Sequence, residues 1–386
     1  MVLSLVSLFA DVASEMLYPV IPVYLKEIGF SVLGIGLLEG VAGFTAGLSK
    51  GYFGKLSDEK GLRLPFVKGG YLLSALSKPM MALFTLPLWI FFTRAVDRLG
   101  KGVRTAARDA LLSQQATPGT KARVFGFHRS MDTLGAAIGP VLSLLILFFY
   151  PGHYTLVFII AFGPGLISVA LVFLLKEKKA PRSTLGRGAF FSFLKYWSIA
   201  SPQYRRVVAG LLLFALFNSA DIFLLLKTKE ITGDDRLTIG AYILYNGVFA
   251  AASYPLGSLA DRIGVRTVFL SGLLLFAAVY FLFAATASLY AIFGAFVLYG
   301  VYAAATEGIT KAWITNMSGE QDTATAIGFY TSGESICALL ASTMAGALWT
   351  AFGSSVTFYA TAAVSLAVFV YFLLLKNTSP SFGTGR

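Results

Sequence analysis

Charge is scarce in this chain. Only 13% of its 386 residues are Asp, Glu, Lys or Arg, while 56% are hydrophobic and 15% aromatic. A soluble domain carries about 25% charged residues, so a soluble globular protein is excluded. One cysteine, Cys337, leaves no partner for an intrachain disulfide. Two histidines, His128 and His153, are too few for a His-rich metal site. No GxxxxGK[ST] loop is present, so ATP hydrolysis is not expected. No Ser/His, Cys/His or His/Asp constellation suggests an enzyme.

Long apolar runs are what the chain has. They lie near 66–86, 132–149, 155–175, 207–226, 266–285, 289–305 and 356–375, each close to the ~20 residues that cross a bilayer as a helix. They are continuous rather than alternating, which excludes a β-barrel. No basic segment precedes Val2–Leu25, so this stretch reads as a retained span and not a cleaved leader. Gly43, Gly47 and Gly51 form a small-xxx-small run that suits helix packing.

The net charge is +12. Its cations cluster in one set of loops: Lys55, Lys60, Arg63 and Lys68, then Lys121 and Arg123, then a basic connection over 176–206. The opposite loops hold little beyond Lys26, Lys227, Lys229 and Arg236. That asymmetry marks the cytoplasmic side of a multi-pass protein of the plasma (inner) membrane. A nucleic-acid partner is not needed to explain it; the lipid bilayer is the expected partner.

The long polar connection divides the chain into two apolar parts: 1–175 and 207–376, with 176–206 as linker and 377–386 as tail. The parts repeat. GKLSDEKGLR (54–63) resembles GSLADRIGVR (257–266), and LKEIG (25–29) resembles TKEIT (228–232). Asp58 and Asp261, Gly61 and Gly264, and Lys26 and Lys229 are each 203 residues apart. Parallel repeats of this kind build transporters with the solute site between the halves.

The repeated segment is similar to the loop between helices 2 and 3 of the major facilitator superfamily. Gly54, Leu56, Asp58, Gly61 and Arg63 match it in the first half, with Glu59 in place of a basic residue. Gly257, Leu259, Asp261, Arg262, Gly264 and Arg266 match it in the second. The resemblance implies an all-α membrane fold of twelve helices in two pseudo-symmetric six-helix bundles. It also implies cytoplasmic termini and gating by Gly54, Asp58, Arg63, Gly257, Asp261, Arg262 and Arg266. Gly135, Gly139 and Pro140 resemble the helix 5 pattern of proton antiporters in this superfamily, although Leu142 and Ser143 replace its last glycines. Close helix packing accounts for the same residues.

The repeat places one anomalous stretch. TRAVDRLGKGVRTAARDALL (93–112) would pass for a loop, but 88–111 maps onto 291–314, an apolar span. It is therefore expected to be helix 4. At ~100° per residue, Arg94, Arg98, Lys101, Arg104 and Arg108 share an arc, with Asp97 and Asp109 on the same side. Val96, Leu99, Val103, Ala106 and Ala107 lie opposite and are expected to meet lipid. Charges inside a span face protein or a water-filled cavity. Expected partners are Asp11 and Glu15 on helix 1, Glu39 on helix 2, and Asp132 beside Arg129 on helix 5. Six acids balance six bases, so both a structural network and a site for solute and protons remain open.

In the second half, Glu307 and Lys311 are expected to pair at i, i+4, leaving Asp221 and Glu334 without obvious partners. Tyr18, Tyr242, Tyr245, Trp313 and Tyr330 are candidate cavity aromatics. The expectation is a monomeric secondary transporter, without cofactor, moving a small organic anion or zwitterion, with proton-coupled efflux favoured. Arg94, Arg98, Lys101, Arg104, Tyr18 and Tyr245 would bind the substrate, and Asp11, Glu15, Asp97, Asp221 and Glu334 would carry protons. A proton-coupled importer, or an exporter of a metal cation or chelate, is the alternative. No metal ligand set is expected, since arginines beside Asp11, Glu15 and Glu39 oppose a bare cation. The terminal SFGTGR carries no part of this reading.

Overall fold

The structure is a computed structural model that describes residues 1–30, 32–117, 119–177, 181–183 and 189–375; the side chains of residues 22, 32–42, 87 and 235 lie outside the described set. Glu39 falls among these. The first half holds α1 (Val2–Glu15), α2 (Val20–Glu27), α3 (Val32–Lys60), α4 (Leu64–Met81), α5 (Pro87–Gln114), α6 (Lys121–Phe149) and α7 (Tyr154–Phe173). A 3₁₀ segment (Phe190–Lys195) and the one-turn α8 (Tyr196–Ile199) follow. The second half holds α9 (Pro202–Ala215), α10 (Ile222–Thr232), α11 (Asp235–Ile263), α12 (Val265–Ala285), α13 (Leu289–Asn316), α14 (Thr323–Phe352) and α15 (Ser354–Leu374).

These make twelve spans, because α1 with α2, and α9 with α10, each form one span broken near its middle. The apolar runs of the sequence predict each as one continuous span. Residues 16–19 part the first pair and 216–221 the second. Pro19 explains the first break: proline has no N–H to donate and crowds the preceding turn. Asn218, Ser219 and Asp221, whose side chains compete for backbone hydrogen bonds, mark the second.

Among the described residues, six helices are long and apolar enough to cross a membrane on composition alone: α6, α7, α12, α13, α14 and α15. Three of the other spans fail for visible reasons. Two are split, and α5 carries seven charged side chains between Arg94 and Asp109. Exposed apolar side chains such as Leu144, Phe148, Ile159, Leu166, Phe281 and Leu373 form the belt that meets lipid.

On the opposite face of α5, Val103, Ala106 and Ala107 do not join that belt. Ala106 and Ala107 are fully buried and Val103 nearly so, because α5 is sandwiched between α3 and α4. The helices touch backbone to backbone: a Cβ on Gly100 would lie 2.7 Å from the Gly70 oxygen, and one on Gly102 would lie 2.6 Å from the Ser49 Cβ. Small residues on α5 thus serve close packing and not lipid contact.

The halves meet through α6 against α11 and α3 against α14. Gly47 and Gly51 serve this region, Gly47 packing on Ser335 and Gly51 on Phe193 of the linker, whereas Gly43 faces open space. The linker is tied in as well. Phe190 stacks on Tyr52 with ring centroids 4.9 Å apart, and Trp197 stacks on Phe329 at 5.6 Å.

Glu177, just past α7, accepts from the backbone N–H groups of Arg63 at 2.7 Å and Leu64 at 2.8 Å. It satisfies two orphan donors at the start of α4, where a negative charge also meets the helix dipole. Glu177→Ala is expected to cost about 1 kcal/mol, the usual scale for a lost cap. Thermal melts of the purified protein would check this, and an unchanged melt would remove the cap from the account.

Candidate functional site

Asp58 and Asp261 act on the opposite half. The Asp58 carboxylate accepts from the Thr325 backbone N–H at 2.7 Å and its hydroxyl at 2.9 Å, in the first turn of α14. Asp261 accepts from the backbone N–H groups of Ala122 at 3.0 Å and Arg123 at 2.9 Å, in the first turn of α6. Ala122 and Thr325 are themselves 203 residues apart, so the repeat governs the receivers as well as the acids. Each acid is an N-cap supplied in trans, reinforced by the positive end of the receiving helix.

The arginines diverge. Arg63 pairs with Asp58 at 2.9 Å and donates to the Glu320 carbonyl at 2.6 Å. Arg266 donates to the carbonyls of Phe372 and Leu373, at the end of α15. Arg262 is exposed. Gly54 and Gly257 admit the closest approach: a Cβ on Gly54 would lie 2.5 Å from the Ala324 oxygen, and one on Gly257 would collide with the Ala122 oxygen. The face carrying the two motif loops is therefore sealed across both halves.

Beyond this seal a cavity of about 580 Å³ opens between the halves. Six acids line it (Asp11, Glu15, Asp132, Asp221, Glu307 and Glu334), and so do six bases (Lys50, Lys101, Arg104, Arg108, Arg129 and Lys311). Tyr242, Tyr245, Tyr299, Tyr302 and Tyr330 supply aromatic wall. A smaller recess lined by Ser14, Tyr18, Ser74, Arg94, Asp97 and Arg98 shares Glu15, Lys101 and Arg104 with the cavity.

The helix 4 stripe thus divides. Lys101, Arg104 and Arg108 face the cavity, while Arg94, Asp97 and Arg98 face the recess. Arg94 lies 3.6 Å from Asp97. The closest partner of Asp97 was not foreseen: Lys78 of α4 pairs with it at 2.6 Å, and Ser74 donates to the same oxygen at 2.6 Å. Lys78 is 1% exposed, so this pair is a buried lock within the first half. Arg104 lies over the Tyr71 ring, 4.4 Å from its centroid.

Arg108 binds Asp109 at 3.0 Å and the Ser7 hydroxyl at 2.8 Å, and reaches Asp132 at 3.9 Å. The expected Glu307–Lys311 pair is replaced by two pairs that cross between the halves. Lys311 binds Asp109 at 2.8 Å, and Glu307 binds Arg129. Local i, i+4 spacing lost to partners across the cavity. Glu334 accepts from the Tyr330 hydroxyl at 2.8 Å. Lys50 donates to Ser335 at 3.2 Å, which brings a base from α3 to the α14 wall; it too went unnoticed in the sequence.

Asp221 stands at the α9–α10 break, Tyr18 is 59% exposed on the recess, and Tyr242 and Tyr245 lie on the cavity wall. Trp313 is elsewhere, buried against Phe269 and Phe372. Gly135 and Gly139 of α6 seat the first span: their Cβ atoms would lie 2.5 Å from the Leu8 oxygen and 2.8 Å from the Met16 nitrogen. This contact holds Asp11 and Glu15 at the wall.

The chain is similar to proteins that share this architecture. An uncharacterized MFS-type transporter of Methanocaldococcus jannaschii is 31% identical over 353 residues, covering 90% of this chain and 87% of that one. The multidrug resistance efflux pump PmrA of Streptococcus pneumoniae is 29% identical over 143 residues, 36% of this chain and 35% of that one. Among solved structures, the human organic anion transporter MFSD10 superposes with a TM-score of 0.82 at 18% identity, covering 96% of this chain and 98% of that one. The Major Facilitator Superfamily profile matches residues 3–252 and again 229–385. A duplicated six-span bundle, a motif loop in each half that caps the other, and these matches place the chain in one family: it belongs to the Major Facilitator Superfamily.

Proposed function

We propose that this transporter exports a small organic anion or zwitterion across the plasma membrane in exchange for protons. The carrying observation is a cavity between the halves, sealed at the motif face and lined by equal numbers of acids and bases. Alternating access requires the seal to open as the other end closes. The pairs Asp109–Lys311 and Arg129–Glu307 join the halves beside the cavity, so rocking exchanges them for solute contacts or for protons. Asp11, Glu15, Asp221 and Glu334 are the proposed proton carriers, while Asp97 stays locked to Lys78 within the first half. The proton gradient supplies the energy, no cofactor takes part, and the protein works as a monomer with cytoplasmic termini. Efflux is supported by the partial likeness to a multidrug efflux pump, and an anionic group by the bases Lys101 and Arg104 on the wall.

In proteoliposomes, an imposed pH gradient is expected to drive counterflow of an organic solute. Lys101→Ala and Glu15→Gln should each slow it at least tenfold, about 1.4 kcal/mol of lost interaction, while folded protein is still recovered. Flux indifferent to both pH and membrane potential would sink the coupling. Full flux in both variants would sink the site.

A further inference from the structure

The charges of the cavity are balanced in number but not in place. The first half contributes five bases (Lys50, Lys101, Arg104, Arg108 and Arg129) against three acids. The second half contributes three acids, Asp221, Glu307 and Glu334, against Lys311. One wall therefore carries two excess positive charges and the other two excess negative charges. A neutral cavity polarised in this way favours a ligand polarised in the opposite sense over any ligand of single sign.

Pairing sharpens the contrast. On the first wall, Arg108 and Arg129 are engaged with carboxylates. Lys101 projects into the cavity, and Arg104 rests on Tyr71 with its Nε and Nη1 buried and without hydrogen-bond partners among the described residues. A carboxylate drawn between Lys101 and the part of Arg104 that lines the cavity makes charge-assisted hydrogen bonds.

On the second wall, Asp221 lines the cavity where the seventh span breaks, between α9 and α10. Tyr245 and Tyr299 line the same cavity as Asp221, with ring centroids 4.9 Å apart. Tyr302 continues the same aromatic wall, 5.3 Å from Tyr299. A carboxylate beside clustered tyrosine faces is the chemistry that recognises an organic ammonium group.

We infer that the solute is a zwitterion, its carboxylate held by Lys101 and Arg104 and its ammonium group by Asp221 with Tyr245 and Tyr299. This rests on the transport reading above and narrows its solute class.

The test uses matched probes. Trimethylammonio-alkanoates with two to six methylenes are compared with the alkanoate and the alkyltrimethylammonium ion of equal length. Thermal shift of the purified full chain reads binding, and counterflow in proteoliposomes reads transport. At one chain length, the zwitterion should bind at least tenfold more tightly than either half-molecule. Asp221→Asn and Arg104→Gln should each weaken it at least tenfold, with the unliganded melt reporting whether the variant is folded. Because Tyr299→Leu keeps every charge, it tests the aromatic part separately and should also weaken zwitterion binding. The inference is overturned if an alkanoate binds as well as its zwitterion, if no zwitterion binds, or if folded Asp221→Asn binds it normally. Proton-driven flux of the alkanoate alone would leave the transport reading standing and remove this one. Absence of flux for every solute under a pH gradient would instead remove the transport reading.

Discussion

Replacing Gly126 by valine is expected to hold the sealed face open and to reduce transport by more than tenfold. Gly126 lies on α6, where its backbone meets the Ser253 carbonyl and the Gly257 Cα of α11. A Cβ there would collide with the carbonyl oxygen, which belongs to a helix backbone and cannot swing aside. Alanine already forces the helices apart, and the branched carbons of valine force them further. Overpacking a tight contact costs about 1–3 kcal/mol, and here that cost falls only on the conformer in which α6 and α11 touch. A penalty of about 2.7 kcal/mol shifts a two-state population by about a hundredfold. Spin labels at the exposed positions Lys60 and Glu320, one in each half, would report the separation as a longer distance distribution. An unchanged distribution with normal transport would show that this crossing does not control the seal.

Asp109→Asn is expected to be the most destabilising single change of a charged residue. Asp109 is fully buried and holds Arg108 at 3.0 Å and Lys311 at 2.8 Å. Removing one member of a buried charge set leaves the others uncompensated, typically a loss of about 3–5 kcal/mol. The double change Asp109→Asn with Lys311→Met removes a charge of each sign, leaving Arg108 near Asp132. It should therefore recover part of the loss, and the two single effects should not add. Melts of the four proteins in one detergent form the cycle. Additive losses would mean that Asp109 and Lys311 do not act as a pair. Because the pair joins α5 to α13, Lys311→Met alone should also loosen the halves and broaden the same spin-label distribution.

The features legible in the sequence were those written in repetition and periodicity. The 203-residue offset identified both motif loops, and it placed 93–112 inside the membrane despite its charges. The inward turn of that stripe followed from helical geometry. Lys78 was not legible because it sits in ALSKPMM, where apolar neighbours hide a single cation, and because Asp97 meets it only once α4 and α5 pack. Glu307 and Lys311 misled for a related reason: spacing along one helix says nothing of a stronger partner on another. The lipid-facing assignment of Ala106 and Ala107 failed because small residues suit tight packing and lipid contact equally on hydropathy. The breaks in the first and seventh spans left traces, in the proline at 19 and the polar run at 218–221, that average hydropathy smooths over.

The two trans caps carry a consequence for how such a chain can diverge. Asp58 and Asp261 bind chiefly to backbone N–H groups, which every residue except proline possesses. Position 123, which is exposed, can therefore exchange side chains widely with the latch still able to form, the buried positions 122 and 325 admit only small ones, and proline at any of the three removes a donor. After a duplication, each half can drift toward its own solute chemistry while the clasp between them stays in register.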